Sequence, residues 1–209
     1  MKIAVLGTGQ VGRTLGTGFI GLGHSVCLGS RTADNAAATA WAAESGGSHG
    51  TFAQSASGAD VVVLAGSGQH ALAILDAAGD LTGKIVWDVS NPLDFSGGFP
   101  PSLTVCNTDS LAETLKRAHP SAHFAKAFNM MANPVMVDPS RVPGETTMIL
   151  CGDDPAKEVV SGLLKEFGWM DLVDLGGLDG ARGMEAWLLL WTRLYGALGT
   201  GDFNIKIVR

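Results

Sequence analysis

Three glycines at fixed spacing are the first residues in this chain that could do chemistry. Gly7, Gly9 and Gly12 form a G-x-G-x-x-G pattern directly behind the apolar run KIAVL, Lys2 to Leu6. Between a strand and a helix, this spacing cradles a pyrophosphate. Gly7 permits the tight turn, Gly9 lets backbone approach the phosphates, and Gly12 lets the helix pack close to the strand. Gly16, four residues further along the same helical face, extends that close packing. The N–H groups of Thr8, Gly9, Gln10 and Val11 would then meet the pyrophosphate at the positive end of the helix dipole.

The end of the second strand distinguishes two dinucleotides. A carboxylate there accepts the ribose 2′-hydroxyl of NAD. This chain reads Gly29-Ser30-Arg31-Thr32 instead, and its first acid is Asp34. A 2′-phosphate meets no repulsion there. Arg31 can pair with it bidentately while the Ser30 and Thr32 hydroxyls donate hydrogen bonds, so the expected cofactor is NADP.

Other strand ends should line the same crevice, because ligands of such sheets bind at the carboxyl edge. These are Ala65 and Gly66 with His70 nearby, then Asn91 and Pro92, then Ala127 and Asn129. Gly66 and Gly68 would leave room for a ribose or the nicotinamide, and Asn91 and Asn129 would offer amides to the carboxamide. His70 reads first as a capping or surface residue and second as a proton donor. The chain has no HExxH, no nucleophile elbow and no zinc spacing, so neither a catalytic side chain nor a metal is assigned.

The elements that must position these residues alternate strand and helix, which predicts a Rossmann-type, doubly wound α/β fold with a mostly parallel sheet. Strands are expected at Lys2 to Leu6, His24 to Leu28, Thr51 and Phe52, Asp60 to Ala65, Lys84 to Val89, His123 to Phe128, Thr146 to Leu150 and Asp171 to Leu175. Helices are expected at Val11 to Leu22, Asn35 to Ala43 and His70 to Ala78. Another follows an S-x-x-E capping box at Ser110 and Glu113. A further one has Asp154 as N-cap and Pro155 at the first helical position, and a long helix covers Ala181 to Ala197. The tail FNIKIVR alternates like a strand. The expected division is a dinucleotide-binding domain over residues 1–138 and a small C-terminal helical and strand extension over 139–209 that closes the crevice.

Composition bounds the rest. The 209 residues are 46% hydrophobic and 16% charged, a core-forming balance. Twenty acids against fourteen bases leave a formal charge of −6, which argues against a general nucleic-acid or anionic-membrane surface. The apolar cluster AWLLLW, Ala186 to Trp191, is too short to span a bilayer. Cys27, Cys106 and Cys151 lie in or beside apolar runs without any CxxC and read as small buried hydrophobes. With a strand-like start in place of a signal segment, a soluble, reduced, cytoplasmic protein is expected.

Taken together, GTGQVGRTLG, LGSR, DVSNPL, KAFN, CGDD and DLGGL followed by Ala181, Arg182 and Glu185 resemble the NADPH-dependent coenzyme F420 reductase family. They also resemble the cytosolic oxidoreductase domain of animal six-transmembrane metalloreductases. The likeness runs over nearly the whole length. It implies NADP held by Thr8 to Val11, by Ser30 and Arg31, and by Ala65, Gly66, His70, Asn91, Pro92 and Ala127. It further implies a second planar cofactor stacked on the nicotinamide, coenzyme F420 or a flavin, and a homodimer formed through the C-terminal part. The deazaflavin reductases carry a histidine where Asn129 stands and hydroxyl residues where Ala186 and Leu188 stand.

Hydride transfer of this kind needs no side-chain acid or base at the carbon centres. Two other readings stay open at this point. One is a reductase of a small carbonyl or imine, with Lys126 as the formal acid. The other is a non-catalytic NADP(H)-binding sensor or partner protein, since a dinucleotide site does not entail turnover.

Overall fold

The computed structural model describes residues 1–209. The first half runs β1 (Lys2–Leu6), α1 (Gln10–Gly21), β2 (Ser25–Ser30), α2 (Ala36–Ser45), β3 (Ser48–Thr51), α3 (Phe52–Ser57), β4 (Val61–Leu64), α4 (Ala71–Ala78) and β5 (Ile85–Asp88). A small hairpin of β6 (Leu93–Asp94) and β7 (Ser102–Leu103) follows, then α5 (Leu111–Ala118), β8 (His123–Lys126) and α6 (Asn133–Val137). The chain ends with β9 (Thr147–Gly152), α7 (Asp154–Glu166), β10 (Asp171–Asp174) and α8 (Ala181–Leu198).

The sheet order is β10-β9-β8-β5-β4-β1-β2-β3. From β3 across to β8 every pairing is parallel, as a doubly wound sheet requires. Alternation along each strand feeds two cores. In β1, Ile3 and Val5 join the cluster that includes Leu15, Phe19, Trp87 and Leu163, whereas Ala4 and Leu6 join the cluster with Phe52, Leu75 and Phe124 on the other face. Residues 147–174 do not break away from this sheet. β9 pairs antiparallel to β8, with Lys126 opposite Cys151, and β10 then pairs parallel to β9.

Several local expectations need correction. Thr51 ends β3 and Phe52 opens α3, because Thr51 and Gln54 form a reciprocal capping box that starts a helix where a strand was expected. The N-cap of α7 is Asp153, not Asp154, which shifts Pro155 to the second helical position. The Asp153 carboxylate makes no cap bond, since it accepts instead from Phe124 N–H at 2.8 Å and from Lys116 Nζ at 2.9 Å. The tail from Phe203 forms no strand. It lies beside β9, where Thr147 N–H donates to Ile205 O at 2.9 Å, and the Phe203 ring stacks on Trp191. Only Cys151 is buried; Cys27 is half-buried and Cys106 exposed. No helix is long and apolar enough to cross a membrane.

Candidate functional site

At the topological switch point, β1 has β2 on one side and β4 on the other, and the glycine loop rises between their carboxyl ends. Gly7 has φ +134°, and a Cβ there would sit 2.7 Å from Ala65 O, so both the turn and the close approach demand glycine. A Cβ on Gly12 would come within 2.0 Å of Gly7 O, which is what holds α1 against the turn. A Cβ on Gly9 would meet nothing within 4 Å. Gly9 therefore has no packing reason to be glycine, and the space beside it lies at an α1 N-terminus that no side chain caps and whose first turn holds no acid. That arrangement fits a pyrophosphate. Gly16 faces not the strand but the Trp41 indole of α2, 2.7 Å from its would-be Cβ.

The end of β2 presents Arg31 and Thr32 to solvent, while Ser30 is only 4% exposed. The Ser30 hydroxyl donates to Thr32 O at 2.5 Å, so it shapes the turn from which its two neighbours project. Arg31 enters no ion pair, in contrast to Arg117, Arg141 and Arg182, each tied to a carboxylate.

A crevice of about 290 Å³ opens beside the glycine loop, with Val11, Ala65, Gly66, Ser67 and Asn91 in its walls. Three larger depressions, about 310, 600 and 690 Å³, lie elsewhere and contain none of the candidate cofactor-binding residues, so size does not locate the site. Gly66 and Gly68 do not leave room for a ligand as expected. Their Cβ positions are taken by the Ile74 side chain at 2.2 Å and by Asn91 O at 2.0 Å. His70 ends an exposed 3-10 turn, and Gln69, not His70, lines the crevice. Pro92 is buried beneath Asn91, and Ala127 lies wholly in the core, where its carbonyl accepts from Trp87 Nε1 at 3.4 Å.

Next to Ala127 the backbone is strained. Phe128 has φ +69°, a conformation a bulky residue rarely adopts. Its ring is buried against Trp87 with centroids 4.9 Å apart, and the turn swings Asn129 toward Asn91. Asn91 Nδ2 donates to Asn129 O at 2.8 Å, and Asn129 Nδ2 donates to Asn91 Oδ1 at 2.9 Å and to Met184 O of α8 at 3.0 Å. Asn129 Oδ1 is buried with no partner, behind Asn91 and outside the crevice lining, an acceptor that a carboxamide N–H would reach only if this turn shifted.

Below this pair lies a buried ionic cluster that no sequence motif announced. Lys126 is 0% exposed, and its Nζ lies 2.6 Å from Asp88 Oδ2, 3.1 Å from Glu185 Oε1 and 2.7 Å from Ser90 O. Asp88 Oδ1 accepts from Ser90 N–H at 2.8 Å and Ser90 Oγ at 2.6 Å. Glu185 accepts from Leu111 N–H at 2.8 Å and Ala112 N–H at 3.1 Å, at the start of α5. Burial pushes the Glu185 carboxyl above its ordinary value, with Lys126 opposing. Burial also works to lower Lys126, but Asp88 and Glu185 more than offset it and hold the ammonium above its usual range. Burial pushes the neighbouring Cys151 thiol up to about 12, which makes it inert. The only sequence signal for this cluster was three charges of mixed sign inside apolar runs: KIVWDV, HFAKAF and MEAWLLLW.

Lys126 is thus no acid for a carbonyl or imine in the crevice, because it is sealed from it and held by two carboxylates. Leu188 is buried in the core, so that position offers nothing to a ligand, whereas Ala186 is exposed.

The geometry agrees with comparisons to known proteins. A family model described as NADP oxidoreductase, coenzyme F420-dependent, matches residues 2–92. The rat metalloreductase STEAP3 is 32% identical over 187 residues, which is 88% of this chain but 36% of that protein's length. The F420-dependent NADP reductase of Methanocaldococcus jannaschii is 30% identical, over 68% of this chain and 66% of its own. A 1.70 Å crystal structure from Arthrobacter sp. FB24, provisionally described as an F420-dependent NADP-reductase, superposes with a TM-score of 0.97 at 46% identity over the whole of both chains.

Proposed function

Because this chain belongs to the coenzyme F420-dependent NADP oxidoreductase family, we propose that it moves hydride between NADP(H) and a planar acceptor, coenzyme F420 first and a flavin second. The observation that carries the reading is the pairing of an uncapped glycine-rich helix start with an exposed, unpaired Arg31 at the next strand end.

In this reading the N–H groups of Thr8 to Val11 hold the pyrophosphate, with Gly9 giving it room. Arg31 grips the 2′-phosphate bidentately and Thr32 adds a hydroxyl, while Ser30 fixes the turn. Val11, Ala65, Gly66 and Asn91 wall the ribose and nicotinamide, and Asn129 Oδ1 would accept from the carboxamide only after a shift of its turn. The bound nicotinamide supplies the hydride; the protein aligns it and excludes water. Exposed Leu189, Leu190 and Leu198 on α8 support a homodimer through the C-terminal segment, which would also close the crevice.

The acceptor is tested by anaerobic turnover of NADPH with coenzyme F420, FMN and riboflavin in parallel. F420 should react fastest. Reaction with flavins alone would assign the acceptor site to them. Tight NADPH binding with no acceptor reduced would point to a sensor.

A further inference from the structure

We propose that Glu185 and Lys126 are positioning residues for the nicotinamide end of the crevice, through which α8 sets the place of its Ser90–Asn91 wall. The proposal rests on the reading that NADP(H) occupies this crevice.

Two adjacent residues of α8 reach the same wall by separate routes. Glu185 holds Lys126 at 3.1 Å, and Lys126 donates to Ser90 O at 2.7 Å while its partner Asp88 takes both the N–H and the hydroxyl of Ser90. Met184 O accepts from Asn129 Nδ2 at 3.0 Å, and that same nitrogen donates to Asn91 Oδ1 at 2.9 Å. Ser90 and Asn91 are neighbours in the crevice lining. Glu185 also ties the first amides of α5, so its carboxylate fixes three elements around one wall.

Stability alone is a poor reason for such a cluster. Apolar residues of similar volume usually stabilise as well or better than a buried ion triad, and the best use of buried charge is to impose one arrangement among several. Here the arrangement imposed is that of a wall next to a strained turn at Phe128, whose φ is +69°.

The test is equilibrium binding of NADPH and of 2′-phospho-ADP-ribose, which keeps the phosphates and lacks the nicotinamide, to the wild-type chain, to Glu185→Gln and to Lys126→Met. In Glu185→Gln the amide keeps one acceptor for donors that had two, so its NH2 must face either Leu111 N–H or Lys126, and in both orientations the charge of the tether is lost while Asp88 and Lys126 remain paired. Loss of a charged hydrogen bond should weaken NADPH about tenfold and leave 2′-phospho-ADP-ribose within about twofold. Lys126→Met should show the same split more strongly. Should it fail to fold, Glu185→Gln decides alone. Equal weakening of both ligands, or of neither, overturns the proposal. A wild-type chain that binds neither ligand overturns instead the functional reading beneath it.

Discussion

At the phosphate end of the crevice, the groups that reach outward are backbone N–H groups and an exposed Arg31 that nothing in the protein engages. At the Ser90–Asn91 end, nearly every polar group is already satisfied within the protein, and the charges beneath are fully buried. One end is built to gain contacts when a ligand arrives. The other is built to keep its shape whether or not one does. Nucleotide choice and most of the affinity should therefore reside at the first end, and alignment, with the nicotinamide's own share of the affinity, at the second.

The largest effect should come from the buried end. Lys126→Met leaves two carboxylates in the core without their counter-charge and should cost about 3–5 kcal/mol of stability in urea denaturation. Arg31→Ala should leave the denaturation midpoint unchanged and weaken NADPH roughly hundredfold, with NADH unaffected, as expected for loss of a bidentate charged contact. If Arg31→Ala instead destabilised the fold, the contrast between the ends would fail.

Two glycine variants divide the phosphate end itself. Gly12→Ala forces a Cβ to within 2.0 Å of Gly7 O. It should cost about 1–3 kcal/mol by overpacking. Gly9→Ala meets no protein atom within 4 Å. It should leave thermal stability nearly intact and still weaken NADPH measurably by calorimetric titration.

The smallest effect is a control far from both ends. Hydrogen bonds from Thr147 and Lys206 hold the Asp171 carboxyl down at about 2, from an ordinary 3.8. A depressed carboxyl pKa means that its contribution to stability is present above 3.8 and is lost as pH falls toward about 2. Asp171→Asn should flatten the stability profile in that window and leave NADPH binding at neutral pH unchanged.

The same contrast explains what the sequence disclosed. The phosphate end is one local β-α-β unit, so spacing alone indicated Gly7, Gly9, Gly12 and Arg31, and the mostly parallel, doubly wound sheet followed from the strand–helix alternation. The buried cluster joins Asp88 to Lys126 across 38 positions and Leu111 to Glu185 across 74, pairings no local pattern encodes. α3 was missed because six residues show no helical period and only the Thr51–Gln54 cap marks it. Gly66 and Gly68 were misread because sequence shows that a side chain is missing but not what fills its place. His70 is exposed, in keeping with its first reading as a surface residue, and only the pocket role implied by the resemblance is missing, since one turn of 3-10 helix places it outside the crevice lining.

The most direct measurement mixes the wild-type chain anaerobically with coenzyme F420 and either NADPH or NADH, and follows loss of deazaflavin absorbance. Rapid bleaching with NADPH and far slower bleaching with NADH is the expected result, because Arg31 has no phosphate to grip on NADH. Equal rates with the two nucleotides, or no bleaching with NADPH bound, would contradict it.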